Sequence, residues 1–554
     1  MSEILRRSYR EDGKVKHQNL GNLSHVPSAS LAVLRRSLAG ETLVGATDVF
    51  EILRSLPHGH VAVVLGVLRC LDLERLLGRE RCRERDLCVA MVCQRLIGAG
   101  SKLSATRRLQ KTTLADELDL GEVTEAELLG AMDWLLPRQE RIEKALARRH
   151  LQGEGFVLYD LSSSYLEGRH CELGALGYSR DGKRGKLQIT YGLVCSPEGR
   201  PVSVQVHPGN TADPTSLGSA VERVKERFGI DRVVFVGDRG MITQARVKAL
   251  RAQDVGFITA LRAPQIQALT IAPSFQLALF EERGVCEVTS PEHPGERLVI
   301  CRNPAVAAER ARKRQELLRL TEVELEKVRV SVHEPRGRLR NATAGKIGQR
   351  AGRVVGQRKM AKHFTLKIAD QTFSYERNSA RIEEEALLDG IYVIRTSEPA
   401  SRIGSAALVR AYKQLKVNER AFKAMKAPEL AIRPVHHRLA ERVRAHVFLC
   451  MLAHHVQYEL ATRLAPMLFT DDTPLTPTDP VAPAERSPQA DAKAASARTT
   501  DGLPAHTLPD LLTDLATLCR NTVRVATTDT TYPQLTTPTE LQAKAFELLN
   551  IKPA

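Results

Sequence analysis

GFVLYD (155–160) and RVVFVGD (232–238) decide the reading of this chain, because each is a short apolar run that ends in an aspartate. Runs of this length, rich in Val and Phe and bounded by turn residues, predict buried strands. LQITYGLVCS (187–196), PVSVQVHPG (201–209) and GFITALR (256–262) have the same character, and GMITQARVKALRAQD (240–254) between two of these strands predicts a helix. Strands mixed with a helix make the region α/β. In open α/β sheets, side chains at the carboxyl ends of strands converge on the crevice outside the sheet, so Asp160 and Asp238 there invite a divalent cation. Taken singly, each aspartate is also an ordinary strand terminator that starts a turn, Asp238 above all, since Arg239 and Gly240 follow it.

A third acid joins them further on. Strand character returns in DGIYVIRTS (389–397), and helical periodicity follows in ALVRAYKQLKVNERAFKAMK (407–426). Leu408, Tyr412, Leu415, Glu419, Phe422 and Lys426 recur at spacings of three and four, on one face of a helix expected over about 408–426. Glu419 then falls in the stripe that points inward, where an unpaired carboxylate is costly to bury. It is either ion-paired with Lys423 or Lys426, or functional. Three carboxylates on a sheet and a facing helix suit Mg²⁺ (or Mn²⁺), a hard cation that takes oxygen ligands. Two such ions about 3.5–4 Å apart can activate the attacking oxygen and stabilise the leaving oxygen of a phosphodiester.

Around this α/β stretch the composition changes. Residues 1–150 are expected to be mainly helical: Leu87, Met91, Leu96 and Ile97 lie near helical intervals, and LLPRQERIEKALARR (135–149) has an apolar face with a charged back. The first part of the core spans 151–265. A basic insertion follows over 266–384, with a charged helix in AAERARKRQELLRLTEVELEKV (307–328) and strand-like alternation in HFTLKIADQTFSYER (363–377). Between them Arg336 to Lys362 holds nine Lys and Arg, including Arg336, Arg338 and Arg340, and no acid. That run is either a DNA-backbone contact or a solvated loop. The second part of the core spans 385–468. Residues 469–508, rich in Pro, Thr, Asp and Ala, are expected to be a disordered linker, and 509–554 a helical tail.

The chain has 554 residues, and 81 Lys and Arg against 65 Asp and Glu leave a net charge of +16, which favours a polyanionic partner. Ten cysteines are scattered without CxxC or finger spacing, as expected of buried thiols in a reducing compartment. The charged opening MSEILRRSYREDGK and the lack of an apolar run of ~20 residues predict a protein without a secretory signal or membrane span, in the cytoplasm. A phosphatase-like hydrolase with Asp160 as nucleophile would want a second acid two residues on, where Ser162 stands. Neither a phosphate loop ending in Lys and Ser or Thr nor a dinucleotide glycine fingerprint follows any predicted strand.

Several stretches resemble, in order, the bacterial insertion-sequence transposases of the DDE type, in the insertion-sequence-four superfamily. They are SYREDGKVKHQNLGNLS (8–24), LIGAGSKLSATR (96–107), YDLSSSYLEG (159–168), the long run from Gly177 to Leu217, VVFVGDRGMIT (233–243), DGIYVIRTS, YKQLKVNERAFKAMK (412–426), IRPVHHRLAERVRAHVFL (432–449) and PTELQAKAFELL (538–549). The resemblance implies a ribonuclease-H-like mixed sheet with helices, interrupted before the glutamate helix by a mainly β insertion. It implies Asp160, Asp238 and Glu419 as catalytic metal ligands for two Mg²⁺ or Mn²⁺ ions. It also implies hydrolysis at the element's ends, then attack of the freed 3′ hydroxyl on target DNA.

A Tyr, Arg, Glu, Lys signature maps to Tyr412, Glu419 and Lys426, with Leu415 where the arginine is expected. Lys423 and Arg239, with the arginines of the insertion, complete the candidate DNA contacts. The implied partners are double-stranded terminal repeats and target DNA, bridged by a homodimer in the nucleoid-associated cytoplasm. The non-enzymatic alternative is a DNA-binding protein of transposase descent that has lost catalysis.

Overall fold

The computed structural model describes residues 2–41, 49–151, 156–230, 233–271, 284–475, 477, 479–525 and 529–553. Gly155, where the first predicted strand begins, and parts of the expected N-terminal region, insertion and linker (42–48, 272–283, 476 and 478) lie outside them.

The chain opens on a β-hairpin where helix was expected. β1 (Ile4–Glu11) and β2 (Lys14–Asn22) pair antiparallel across Asp12 and Gly13, both at positive φ, the turn that an Asp-Gly pair favours. After β3 (Phe50–Pro57) the helical expectation holds, with buried faces on helices Gly59–Cys70, Arg83–Ile97, Glu125–Leu135 and Gln139–His150.

The sheet follows. β4 (Phe156–Tyr165), β5 (Gln188–Cys195) and β6 (Pro201–Pro208) are successive antiparallel neighbours, whereas β7 (Val234–Val236) and β8 (Gly256–Ala260) run parallel to β4. Every residue of β5 is buried, as expected of a strand covered on both faces. The order β6-β5-β4-β7-β8 is the ribonuclease-H-like arrangement. Helix Gln244–Ala252 makes the crossover between the parallel strands β7 and β8.

Beyond β8 the chain adds β9 (Val285–Val288) and β10 (Arg297–Arg302) at the far edge of the same sheet. It then leaves for helices Pro304–His333 and Ala344–Gln357 and the hairpin β11 (Phe364–Ala369) with β12 (Thr372–Arg377), and returns as β13 (Ile391–Thr396) between β8 and β10. The insertion is therefore mainly helical, not mainly β. Leu318, Leu325 and Val332, seven residues apart, close with Ile347, Val354 and Phe373 into an apolar cluster separate from the main core. The alternation at 363–377 is the one hairpin, and its Gln371 takes the left-handed turn.

Two further expectations are corrected. Residues 469–508 are not a structureless linker: helix Pro488–Ser496 lies there, capped by the Ser487 hydroxyl, and Val481 and Ala490 are fully buried. The tail is not purely helical either. β14 (Cys519–Val525) and β15 (Thr530–Leu535) form a hairpin between helices Leu508–Ala516 and Glu540–Leu549, and β14 pairs with β3. Helix Ala440–Arg463 runs through the centre, packed on β6 and on the N-terminal helices, which is why its apolar residues are not confined to one stripe.

All ten cysteines are free, and among the described residues no helix is long and apolar enough to cross a membrane.

Candidate active site

The register of the two central strands brings the aspartates level. β4 and β7 are parallel, with Leu158 opposite Val236. Two residues further on stand Asp160, on the same side of the pleat as Leu158 by the two-residue period of a strand, and Asp238, just past the end of β7. β7 stops at Val236, so Asp238 emerges exposed at the strand's carboxyl end, and its backbone carbonyl accepts from the Met241 and Ile242 N–H groups in the turn that follows. Asp160 stays within β4, half-buried, its Oδ1 accepting from the Leu161 N–H at 2.7 Å.

The helix bearing Glu419 lies across β4. It is not the continuous helix expected over 408–426: Ser405–Lys413 and Leu415–Lys426 are separate helices, broken at Gln414. Its buried face is Asn418, Ala421, Phe422 and Met425, with the Phe422 ring edge-on to Tyr191 of β5 at 5.7 Å. Glu419 stands beside that face and is exposed, so the expectation that it points into the core is corrected. It makes no ion pair among the described residues, with Lys423 and Lys426 included.

Asp160, Asp238, Glu419, Lys423 and Lys426 line one open cleft of about 570 Å³. Arg180, Asp181 and Arg433, which the sequence reading did not single out, line it too. Asp181 is almost wholly buried and receives Lys426 Nζ at 2.9 Å, an Arg433 guanidinium nitrogen at 2.6 Å and the Tyr165 N–H at 3.3 Å. This pairing fixes the Lys426 ammonium, whose pKa burial lowers and Asp181 supports. The signal available in sequence was the SRDG turn at 179–182, a charged turn between apolar runs.

The other candidates lie elsewhere. Tyr412 and Arg239 are not among the cleft-lining residues, although Tyr412 feels both Asp238 and Arg239; burial first, and Asp238 second, push its phenol up to about 12 and keep it a donor. Leu415 packs partly buried against the main core, so the place of the expected arginine serves packing here. Arg336, Arg338 and Arg340 are exposed on the turn between the two insertion helices, away from the cleft.

The carboxyl of Asp160 is raised to about 6, by burial above all, with Asp238 and Glu419 adding like charge against its Leu161 bond and Arg180. Three carboxylates around one cleft are the donor chemistry of a hard cation, which would relieve that repulsion. Among the described residues, however, no group of three His, Cys, Asp or Glu side chains is gathered closely enough to hold a metal ion. Asp238 and Glu419 are exposed and have no side-chain partners among the described residues, so no hydrogen bond or ion pair ties either carboxylate elsewhere.

Folding raises the Asp160 pKa from 3.8, so the native state holds this proton more tightly than the unfolded chain. The group therefore supports folding below about pH 4, and that support is lost as pH rises through about 6. Asp160→Asn is expected to melt several degrees above wild type in chelator at pH 8, with the gap closing towards pH 4. Calorimetry that finds the variant equal or lower at pH 8 would refute this.

A family model described as the transposase DDE domain matches residues 160–455, beginning at the first aspartate. No curated protein matches. Among solved structures, the chain is similar to the piggyBac transposase in a synaptic complex with hairpin DNA. That likeness has a TM-score of 0.33 and 9% identity, covering 83% of this chain and 76% of that one.

Proposed function

Because the chain belongs to the transposase DDE domain family, we propose that it cuts DNA at the ends of its own element and joins the freed 3′ hydroxyl to target DNA. The observation that carries this reading is the single cleft shared by Asp160 on β4, Asp238 just past the end of the neighbouring β7, and Glu419 on the helix laid across β4.

Asp160, Asp238 and Glu419 would hold Mg²⁺ or Mn²⁺, which when bound supplies activation of the attacking oxygen and charge for the leaving one. The protein's own part is to hold the scissile phosphate against these acids. Lys423, exposed on the helix turn after Glu419, offers a positive charge that lines the cleft and has no ion pair among the described residues. Lys426 and Arg433 are held in place by Asp181 and present fixed donors. Contacts of this kind position the duplex and carry no sequence information. Arg336, Arg338 and Arg340 on the insertion would bind backbone at a distance from the cleft. A homodimer bridging two ends completes the proposal.

The direct test is cleavage of labelled DNA carrying the element's ends, with Mg²⁺, with Mn²⁺ and with chelator. Metal-dependent nicking at the element boundary is expected; binding with no cleavage under any metal would leave a DNA-binding protein without catalysis. Affinity for the same duplex is also expected to fall steeply between low and physiological salt, because Lys and Arg release counterions when they neutralise phosphates. Replacing Arg336, Arg338 and Arg340 together with Ala should flatten the slope of log affinity against log salt by roughly one for each arginine that had neutralised a phosphate. An unchanged slope would take the insertion turn out of the DNA path.

A further inference from the structure

Beside the acidic cleft lies a second cavity of about 650 Å³, and Arg433 lines both. Gly100, Ser101 and Lys102, at the start of helix Lys102–Leu109, form one wall; Arg433, Arg438 and Arg442 come from the chain beyond the glutamate helix.

Lys102 is the unusual member. It is 8% exposed, lines the cavity, and has no hydrogen bond or ion pair among the described residues. An unpaired buried ammonium is costly, and its surroundings add positive charge. The Arg95 guanidinium is held by the Leu430 and Ala431 carbonyls at 3.0 and 3.1 Å and by His446 Nδ1 at 3.2 Å, with no carboxylate. Burial and then Arg95 pull the Lys102 ammonium down to about 7.

His437, pulled down to about 4 by burial and by Lys102 and Arg95, is neutral at physiological pH and offers a ring N–H. Of the acids nearby, Asp133 is engaged by Arg442 at 2.8 Å and Asp181 by Arg433 at 2.6 Å. Glu125, exposed, is the one carboxylate among the described lining residues. Ser101 caps the helix, its hydroxyl accepting from the Ser104 N–H, and the remaining first-turn N–H groups favour an anion.

We propose that this cavity is a phosphate-binding site, occupied by a phosphodiester of the same DNA whose scissile bond enters the acidic cleft. Only the source of the phosphate rests on the cleavage reading; the site does not. A phosphate would give Lys102 its missing counter-charge and meet Arg438, which has no ion pair among the described residues. Through the shared Arg433, the phosphate would fix the strand's path into the cleft.

The test begins with full-length protein, free of metal and DNA, at constant ionic strength. Inorganic phosphate is expected to raise the melting temperature of wild type saturably, to have no effect on Lys102→Met, and to have a weakened effect on Arg438→Ala. In the second arm, anisotropy of an element-end duplex without metal should show about tenfold weaker binding for Lys102→Met and a salt slope shallower by about one.

Lys102→Met keeps the aliphatic volume and removes only the buried charge. Should it not fold, Arg438→Ala, changed at an exposed position, carries both arms. No saturable phosphate effect on wild type, or an effect on both variants as large as that on wild type, overturns the site. A lost phosphate effect with unchanged DNA affinity overturns the DNA assignment and leaves a site for free phosphate. Failure of the cleavage reading would show as absent nicking and would leave the phosphate titration untouched.

Discussion

Alanine in place of Asp160, Asp238 or Glu419 is expected to reduce metal-dependent strand cleavage by on the order of 10³-fold or more, with affinity for element-end DNA within a few fold of wild type. Such a loss cannot be put down to unfolding. Asp238 and Glu419 are exposed and make no side-chain hydrogen bond or ion pair among the described residues, so shortening them removes nothing that holds the fold. Asp160 is held against its own preference by burial and like charge, so its removal relieves a cost. Melting temperatures at or above wild type should therefore accompany the lost activity. Wild-type cleavage by any one variant would remove that residue from the site.

The second large effect is on stability, far from the cleft. Glu143 is fully buried on helix Gln139–His150, where it meets Arg223 at 2.6 Å, the Ser203 hydroxyl at 2.8 Å, the Val204 N–H at 3.0 Å and the Gln139 amide at 2.7 Å. One carboxylate thus ties the last N-terminal helix to β6 and to the π-helical segment Arg223–Arg227 that continues helix Asp213–Glu222. Glu143→Ala leaves Arg223 uncompensated and strands the other donors, and is expected to lower stability by about 3–5 kcal/mol. Glu143→Gln should not rescue fully, because its amide would turn a donor towards donors. Denaturant titration giving less than about 1 kcal/mol for the alanine variant would show that water or Arg223 itself relaxes into the gap.

How much of this was legible in sequence depended on the range of the interaction. The runs at 156–160 and 233–238 are apolar enough to be read as strands and end in the acids that the structure brings to one cleft. Helical spacing picks out Glu419 but not its exposure, since a spacing of three and four cannot tell the edge of an apolar stripe from its centre. The break at Gln414 leaves no mark in periodicity either, because both halves remain helical.

Asp181 with Lys426 and Arg433 joins residues some 250 positions apart, and the partners of a buried charge are set by tertiary structure alone. Residues 469–508 looked unable to fold by composition. The helix Pro488–Ser496 forms within them, and Val481 and Ala490 are buried against neighbouring parts of the fold, which no local window reveals.

The pairing of β3 with β14 joins a strand made among the first sixty residues to one made among the last forty. At a synthesis rate of about 5–20 residues per second, on the order of a minute separates their appearance on the ribosome. Until then β3 offers an unpaired edge, and chains that stop early never close it. Both aspartates and the glutamate are translated before that moment. A chain cut short before β14 therefore keeps all three acids while its β3 edge stays open to other chains.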